Sequence, residues 1–204
     1  MSGDRLRTYR GKRAFDRSPE PSGERRGSSS SRERFVIQKH DASSLHYDFR
    51  LESDGVLASW AVPKGPSTDP REKRLAIRTE DHPMDYVDFE GVIPEGGYGA
   101  GTVMVWDTGP YRNLAEAEEE GAEPPSVADQ IEKGRVKVWL EGEKIAGGYA
   151  LVRTRGSGDD EQWLLIKMDD EEADARRNPT STEPDSVKTG RTLDEIRADE
   201  EEED

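Results

Sequence analysis

Eight short apolar runs, rich in β-branched and aromatic residues, recur along the chain, separated by clusters of glycine, proline and aspartate. They fall at 34–38, 46–52, 56–62, 75–78, 102–106, 135–140, 148–153 and 162–167. Runs this short, punctuated this often, fold as strands joined by turns. The expected class is therefore mainly β: a single antiparallel β-barrel or sandwich of about eight strands. Little else has helical period. Leu114 to Gly121, rich in Glu and Ala, reads as one short helix. Thr192 followed by Glu195 has the spacing of a capping box and marks the start of another. Trp60, Trp106, Trp139 and Trp163 lie within the strand runs and are assigned to the core.

Of 204 residues, 31% are hydrophobic and 37% charged. Ordinary domains are about 45–50% apolar (counting Gly) and about 25% charged, so part of this chain is expected to lie outside the core as disordered termini. Charge divides it further. Residues 1–34 carry 10 basic and 5 acidic side chains, and residues 169–204 carry 5 and 15, within a net charge of −15. The expected organisation is a flexible basic arm over 1–30, either disordered or draped on the domain, with a serine run at Ser28–Ser31. A β domain over 31–168 and an acidic tail over 169–204 follow. The absence of cysteine excludes disulfides, thiolate zinc sites and cysteine nucleophiles. No run approaches the ~20 apolar residues of a membrane span, and a cytoplasmic, monomeric protein without membrane attachment is expected. The acidic excess opposes non-specific adhesion to DNA but leaves room for a local basic site.

All three histidines, His40, His46 and His82, fall in one 43-residue window. Between Leu45 and Ser53 polar and apolar residues alternate, so His46, Asp48, Arg50 and Glu52 leave one strand face and Tyr47, Phe49 and Leu51 the other. A reversal at Asp41-Ala-Ser-Ser can return His40 to the same place. Two imidazoles and a carboxylate suit Mn, Fe, Co or Zn. The same residues also suit the polar face of a half-exposed strand. Arg50 beside a metal can clamp a phosphate oxygen, or else it pairs with Asp48 or Glu52. Lys64 and Arg74 can line a phosphate pocket or stand as surface charges. His82, between Asp81 and Pro83, is expected in a stiff turn, as a general acid or phosphate ligand with Tyr86 beside it. The glycine-rich stretch Pro94–Gly101 lacks the Lys-Ser/Thr of a nucleotide-binding loop and reads as a tight turn, with Glu95 as internal scaffolding.

Long stretches of this chain are very similar to the 3′-phosphoesterase module of bacterial ATP-dependent DNA ligase D. They are Phe35 to Glu52 (FVIQKHDASSLHYDFRLE), Ser59 to Pro66 (SWAVPKGP), Glu80 to Tyr86 (EDHPMDY), Phe89 to Val103 (FEGVIPEGGYGAGTV) and Ser186 to Ile196 (SVKTGRTLDEI). The resemblance spans roughly residues 10 to 197. It implies a β-barrel that acts on DNA 3′ ends, first removing a terminal ribonucleotide and then the remaining 3′-phosphate to leave a 3′-OH. It implies Mn²⁺, with Co²⁺ or another divalent ion as substitute, held by His40, His46 and Asp48. Arg50, His82 and Tyr86 would be catalytic or contact phosphate, with Lys64 and Arg74 assisting, and Gln38, Glu80 and Arg13 would contact substrate. The family's arm often reads Lys-Arg-Asp-Phe; here it reads Lys12-Arg13-Ala14-Phe15, which questions the nuclease step. No ligase or polymerase domain follows in this chain, so a stand-alone enzyme working beside a separate ligase or polymerase is expected. Two other classes compete. One is a non-haem Fe(II) oxygenase with His46, Asp48 and His82 as its triad. The other is a non-catalytic DNA-end binding module.

Overall fold

The computed structural model describes residues 4–24, 32–157 and 161–203. The serine run at 28–31 lies outside the described residues. Among the described residues nine strands form one antiparallel sheet: β1 (Arg34–Asp41), β2 (Leu45–Ser53), β3 (Val56–Val62), β4 (Lys73–Pro83), β5 (Gly91–Ile93), β6 (Gly101–Asn113), β7 (Arg135–Glu141), β8 (Ala146–Arg155) and β9 (Gln162–Lys167). Their order is β1-β2-β3-β4-β9-β8-β7-β6-β5, and β6 also pairs with β1. Eight strands thus close the barrel, and β5 adds a ninth on β6. Closure relies on the length of β6: Thr102–Pro110 pairs with β1, while Tyr111–Asn113 passes to β7.

The alternation read from the sequence decides which side chains enter the barrel. Tyr47, Phe49 and Leu51 of β2 point inward, into a core with Trp60, Trp106 and Trp163. Trp139 is a correction. Its neighbours Val138 and Leu140 take the inward positions on β7, so Trp139 faces out, half buried, with the Arg112 guanidinium 5.5 Å from its ring centroid.

A second apolar layer covers the outside of β1, β3 and β6. Val36, Leu57, Val103 and Val105 meet Tyr9, Tyr86, Val87, Phe89 and Ile93 there. Tyr9 belongs to a short helix, α1 (Arg7–Gly11), and is fully buried. Burial of a side chain this large is worth about 1.5–3 kcal/mol. Residues 4–24 are therefore docked on the barrel, where the sequence left open a flexible arm or a draped one.

The expected helix at Leu114–Gly121 is absent; that stretch has no apolar stripe to bury. The helix lies later, α2 (Val127–Lys133), with a capping box between Ser126 and Asp129 and left-handed Gly134 as its stop. After a four-residue turn of helix, α3 (Pro179–Thr182), the chain ends its described course in α4 (Leu193–Glu203). Its expected capping box is present: Thr192 N–H donates to Glu195 Oε2 at 2.8 Å and Glu195 N–H to Thr192 Oγ1 at 3.2 Å. Ile196 buries completely in the barrel core, so this acidic segment is anchored by an apolar residue. No helix among the described residues is long and apolar enough to cross a membrane.

Candidate active site

The β1–β2 hairpin sets His40 directly opposite His46 and Gln38 opposite Asp48. The reversal at 42–44 thus makes neighbours of residues six apart. A bulge between Ile37 and Gln38, where β1 pairs with β6, re-aims the strand as it enters this region. The ring centroids of His40 and His46 lie 4.8 Å apart. His40 Nδ1 is 3.4 Å from Asp48 Oδ2, and His46 Nε2 is 3.5 Å from the same oxygen.

Hydrogen bonds on the far side of each ring fix the tautomers. His40 Nε2 meets the Gly99 carbonyl at 2.7 Å, and His46 Nδ1 meets the Ser44 carbonyl at 3.1 Å. A carbonyl only accepts, so those nitrogens carry the protons. In the neutral rings, His40 Nδ1 and His46 Nε2 then present lone pairs toward Asp48. This is the usual support for metal-bound imidazole, an outer N–H held by a carbonyl. The three ligand atoms lie within 4.8 Å of one another. Neighbouring ligands on bonds of about 2.1 Å sit about 3.0–3.4 Å apart, so the group could hold a metal ion once its widest pair closes by about 1.4 Å. Burial alone would raise the Asp48 carboxyl, but the Arg50 guanidinium overcomes it, together with His40 and His46 when their inner nitrogens carry a proton and donate to it, and the group is held well below its usual pKa. A permanent carboxylate is what a cation site needs.

Arg50 sits two residues on, on the same face, 3% exposed. Its Nε donates to Gln38 Oε1 at 2.8 Å, and its Nη2 lies 3.4 Å from Asp48 Oδ2. Gln38 is itself oriented by donating to the carbonyls of Tyr86 (3.0 Å) and Phe89 (2.9 Å). The guanidinium carbon lies 4.9 Å from the Tyr86 ring centroid. Arg50 Nη1 is buried without a partner among the described residues. A buried cationic donor left unpaired costs at least about 1–3 kcal/mol, and an oxyanion beside the cluster relieves it.

His82 lies in β4, opposite Leu57, rather than in the expected turn; the residue before a proline favours extended backbone. The turn follows it as a 3₁₀ helix at Met84–Asp88. His82 Nδ1 donates to the Glu80 carbonyl at 2.9 Å, and Nε2 accepts from Arg13 Nη2 at 3.2 Å. Burial, reinforced by Arg50 and Arg13, holds this imidazole well below its usual pKa. That direction favours the neutral ring as an acceptor for Arg13. The third member of the cluster is His40, so the iron-oxygenase triad of His46, Asp48 and His82 is not the group assembled here.

The docked arm supplies a charged network that sequence reading largely missed. Arg13, 4% exposed in its side chain, bridges Glu20 at 2.8 Å and Glu80 at 3.0 Å. Lys12 reaches Glu80 at 3.2 Å. Glu20 also accepts from Tyr86 OH (2.9 Å) and Ser18 Oγ (2.9 Å). Burial and the nearby Glu20 carboxylate push the Tyr86 hydroxyl well above its usual pKa, so it stays a proton donor. Glu20 carried no sequence signal beyond being one of five acids in a basic segment.

Not every expected residue joins this group. Lys64 and Arg74 line a separate hollow with Pro63, Glu72, Lys73 and Leu75, where Arg74 pairs with Glu72 at 2.6 Å. Glu95 is exposed rather than internal. The glycine stretch is the tight turn expected. At Gly101, φ is +140° and a Cβ would fall 2.1 Å from the Asp41 carbonyl oxygen, so only glycine brings the loop back against β1.

A closed antiparallel barrel thus carries on its outer face two imidazoles and a carboxylate that could hold a metal ion, beside a buried arginine with a free donor. A family model described as the DNA Ligase D 3′-phosphoesterase domain matches residues 38–153, and the chain belongs to that family. It is 50% identical over 191 residues, 92% of its length, to the multifunctional non-homologous end joining protein LigD of Pseudomonas aeruginosa. It is 43% identical over 168 residues to the protein of that name from Mycolicibacterium smegmatis, covering 82% of this chain. To the multifunctional non-homologous end joining DNA repair protein LigD of Mycobacterium tuberculosis it is 44% identical over 165 residues, covering 81%. The chain spans about a fifth of the length of these relatives (22%, 21% and 20%).

Proposed function

We propose that this domain processes DNA 3′ ends in end joining, by divalent-metal-dependent removal of a 3′-terminal ribonucleotide and then of the 3′-phosphate. The observation that carries the reading is the unpartnered Nη1 of buried Arg50 beside the His40–His46–Asp48 cluster. Family membership supports the end-processing role, and Mn²⁺ (or Co²⁺) suits the donor set.

His40, His46 and Asp48 would hold the metal, which when bound would supply Lewis-acid polarisation of a phosphoryl oxygen. Arg50 binds a second oxygen of the same phosphate and stabilises the charge that grows on it in the transition state. Gln38 and the Tyr86 ring hold the guanidinium plane so that this donor needs no reorganisation. Neutral His82 keeps Arg13 and the arm in register. Tyr86, Glu80 and Glu20 form the wall that positions the sugar–phosphate. Lys64 and Arg74 assist from the strand ends by attracting the preceding phosphates. A separate DNA ligase or polymerase takes up the 3′-OH. Because few phosphates are contacted, binding falls only shallowly with salt.

The test is an end-healing assay with Mn²⁺ on two duplex primer-templates, one ending in a ribonucleotide and one in a 3′-phosphate. Wild type is expected to give 3′-OH ends on both and His46→Ala on neither. Removal of phosphate alone assigns the lost nuclease step to Ala14. Binding of ends without turnover in any divalent metal refutes catalysis and leaves an end-binding module.

A further inference from the structure

Tyr98 is among the few large apolar side chains that stay exposed, at 47%. It stands at the tip of the glycine turn, one residue before Gly99, whose carbonyl holds the metal-ligand candidate His40. A Cβ at Gly99 would lie 3.6 Å from the His40 ring, so this turn forms the lip of the cluster. Cations of the docked arm back the ring. Lys12 Nζ lies 4.7 Å from its centroid and 3.3 Å from its hydroxyl, and the Arg13 guanidinium carbon lies 5.3 Å from its centroid. Between the arm and the turn runs a cleft of about 250 Å³, lined by Arg13, Arg17, Ser18, Glu20 and the turn residues Pro94 to Tyr98. Pockets for drug-sized ligands are about 300–1,000 Å³, so a cleft just below that range suits a single nucleoside. An exposed ring flanked by lysine and arginine is the arrangement that stacks a nucleobase while neutralising its phosphate.

We propose that Tyr98, with Lys12 and Arg17, forms a shelf on which the base of the 3′-terminal nucleotide stacks while its phosphate reaches Arg50. This deepens, and rests on, the reading of the site as one for DNA 3′ ends. The shelf is indifferent to base identity, because every base offers a π face, and it reads the presence of a base rather than its edge. The turn therefore has two tasks: its backbone aims His40 and its one large side chain seats the end.

The experiment reads binding rather than turnover. A primer-template with 2-aminopurine as the 3′-terminal base is titrated with full-length wild type, Tyr98→Phe and Tyr98→Ala. The wild type and Tyr98→Phe are expected to quench the fluorophore on binding. Tyr98→Ala is expected to lose the quenching and bind roughly 5- to 100-fold more weakly. A matched primer ending in an abasic nucleotide, followed by anisotropy, is expected to bind wild type and Tyr98→Ala alike. Equal affinity of Tyr98→Ala and wild type for the base-bearing end, or equal weakening on the abasic end, overturns the shelf. Failure of the underlying functional reading looks different: wild type would stack and bind the end yet remove neither ribonucleotide nor phosphate.

Discussion

Acidification from pH 7.5 to 5.5 tests the buried environment of His82. This ring is enclosed by Arg13 and Arg50, which oppose a proton, by the Glu80 carbonyl and Ser59, and by the Tyr9 and Tyr86 rings. Its folded pKa lies well below the ~6.5 of an unfolded histidine. In that window the unfolded chain binds the proton and the native one does not. Stability therefore rises with pH up to about 6.5 and falls below it. With the native ring still neutral at pH 5.5, the unfolded state gains RT ln 11, about 1.4 kcal/mol, against almost nothing at pH 7.5. His82→Gln keeps an oxygen that accepts from Arg13 but does not titrate. Urea unfolding of both proteins with chelator present, at half-unit pH steps, isolates the contribution, since every other group cancels in the difference. The stability gap between wild type and His82→Gln is expected to shift by up to about 1.4 kcal/mol toward the variant on acidification. Parallel curves, or a shift of opposite sign, would refute the argument that this imidazole is held neutral.

Other consequences are shorter to state. Arg50→Lys keeps the charge but loses the fork that spans Gln38, Asp48 and the free donor, so 3′-phosphate removal is expected to drop about 10²-fold with little change in Tm. Divalent metal at 100 times its Kd is expected to stabilise wild type by about 2.7 kcal/mol in calorimetry, and His46→Ala far less. Glu20→Ala strips Arg13 of a buried partner; about 3 kcal/mol is expected to go, with faster tryptic cleavage in the arm as the readout. Ile196→Ala is expected to cost about 2–5 kcal/mol by urea unfolding, showing that the acidic C-terminal helix is part of the core.

The cluster was legible because its information is local. Strict alternation in β2 and one short reversal suffice to gather His40, His46 and Asp48, and the same alternation gives the barrel's inner face. The N-terminal network was not legible. Its partners across the arm and the barrel lie more than 60 positions apart, 68 for Lys12 and Glu80, and their only local signature is basic composition, which a free tail shares. The strand β5 was missed because three residues carry too little pattern. Trp139 was misplaced because aromatic character was weighed above phase: Val136, Val138 and Leu140 had already claimed the inward positions. The helix at 114–121 failed for a related reason, since propensity without an apolar stripe has nothing to bury.

The seam that closes the barrel joins Arg34–Asp41 to Thr102–Pro110, strands more than 60 residues apart in the chain. The three ligand candidates, by contrast, all come from one hairpin within nine residues of each other. During synthesis that hairpin is complete long before its partner strand exists. Its imidazoles and carboxylate are together early, but the Gly99 carbonyl that aims His40 arrives only as the seam forms. Closures of this span put folding in the millisecond-to-second range typical of non-local β topologies. The order of events thus separates holding a metal from orienting it: a nascent hairpin can gather the donors, and only the closed barrel can point them.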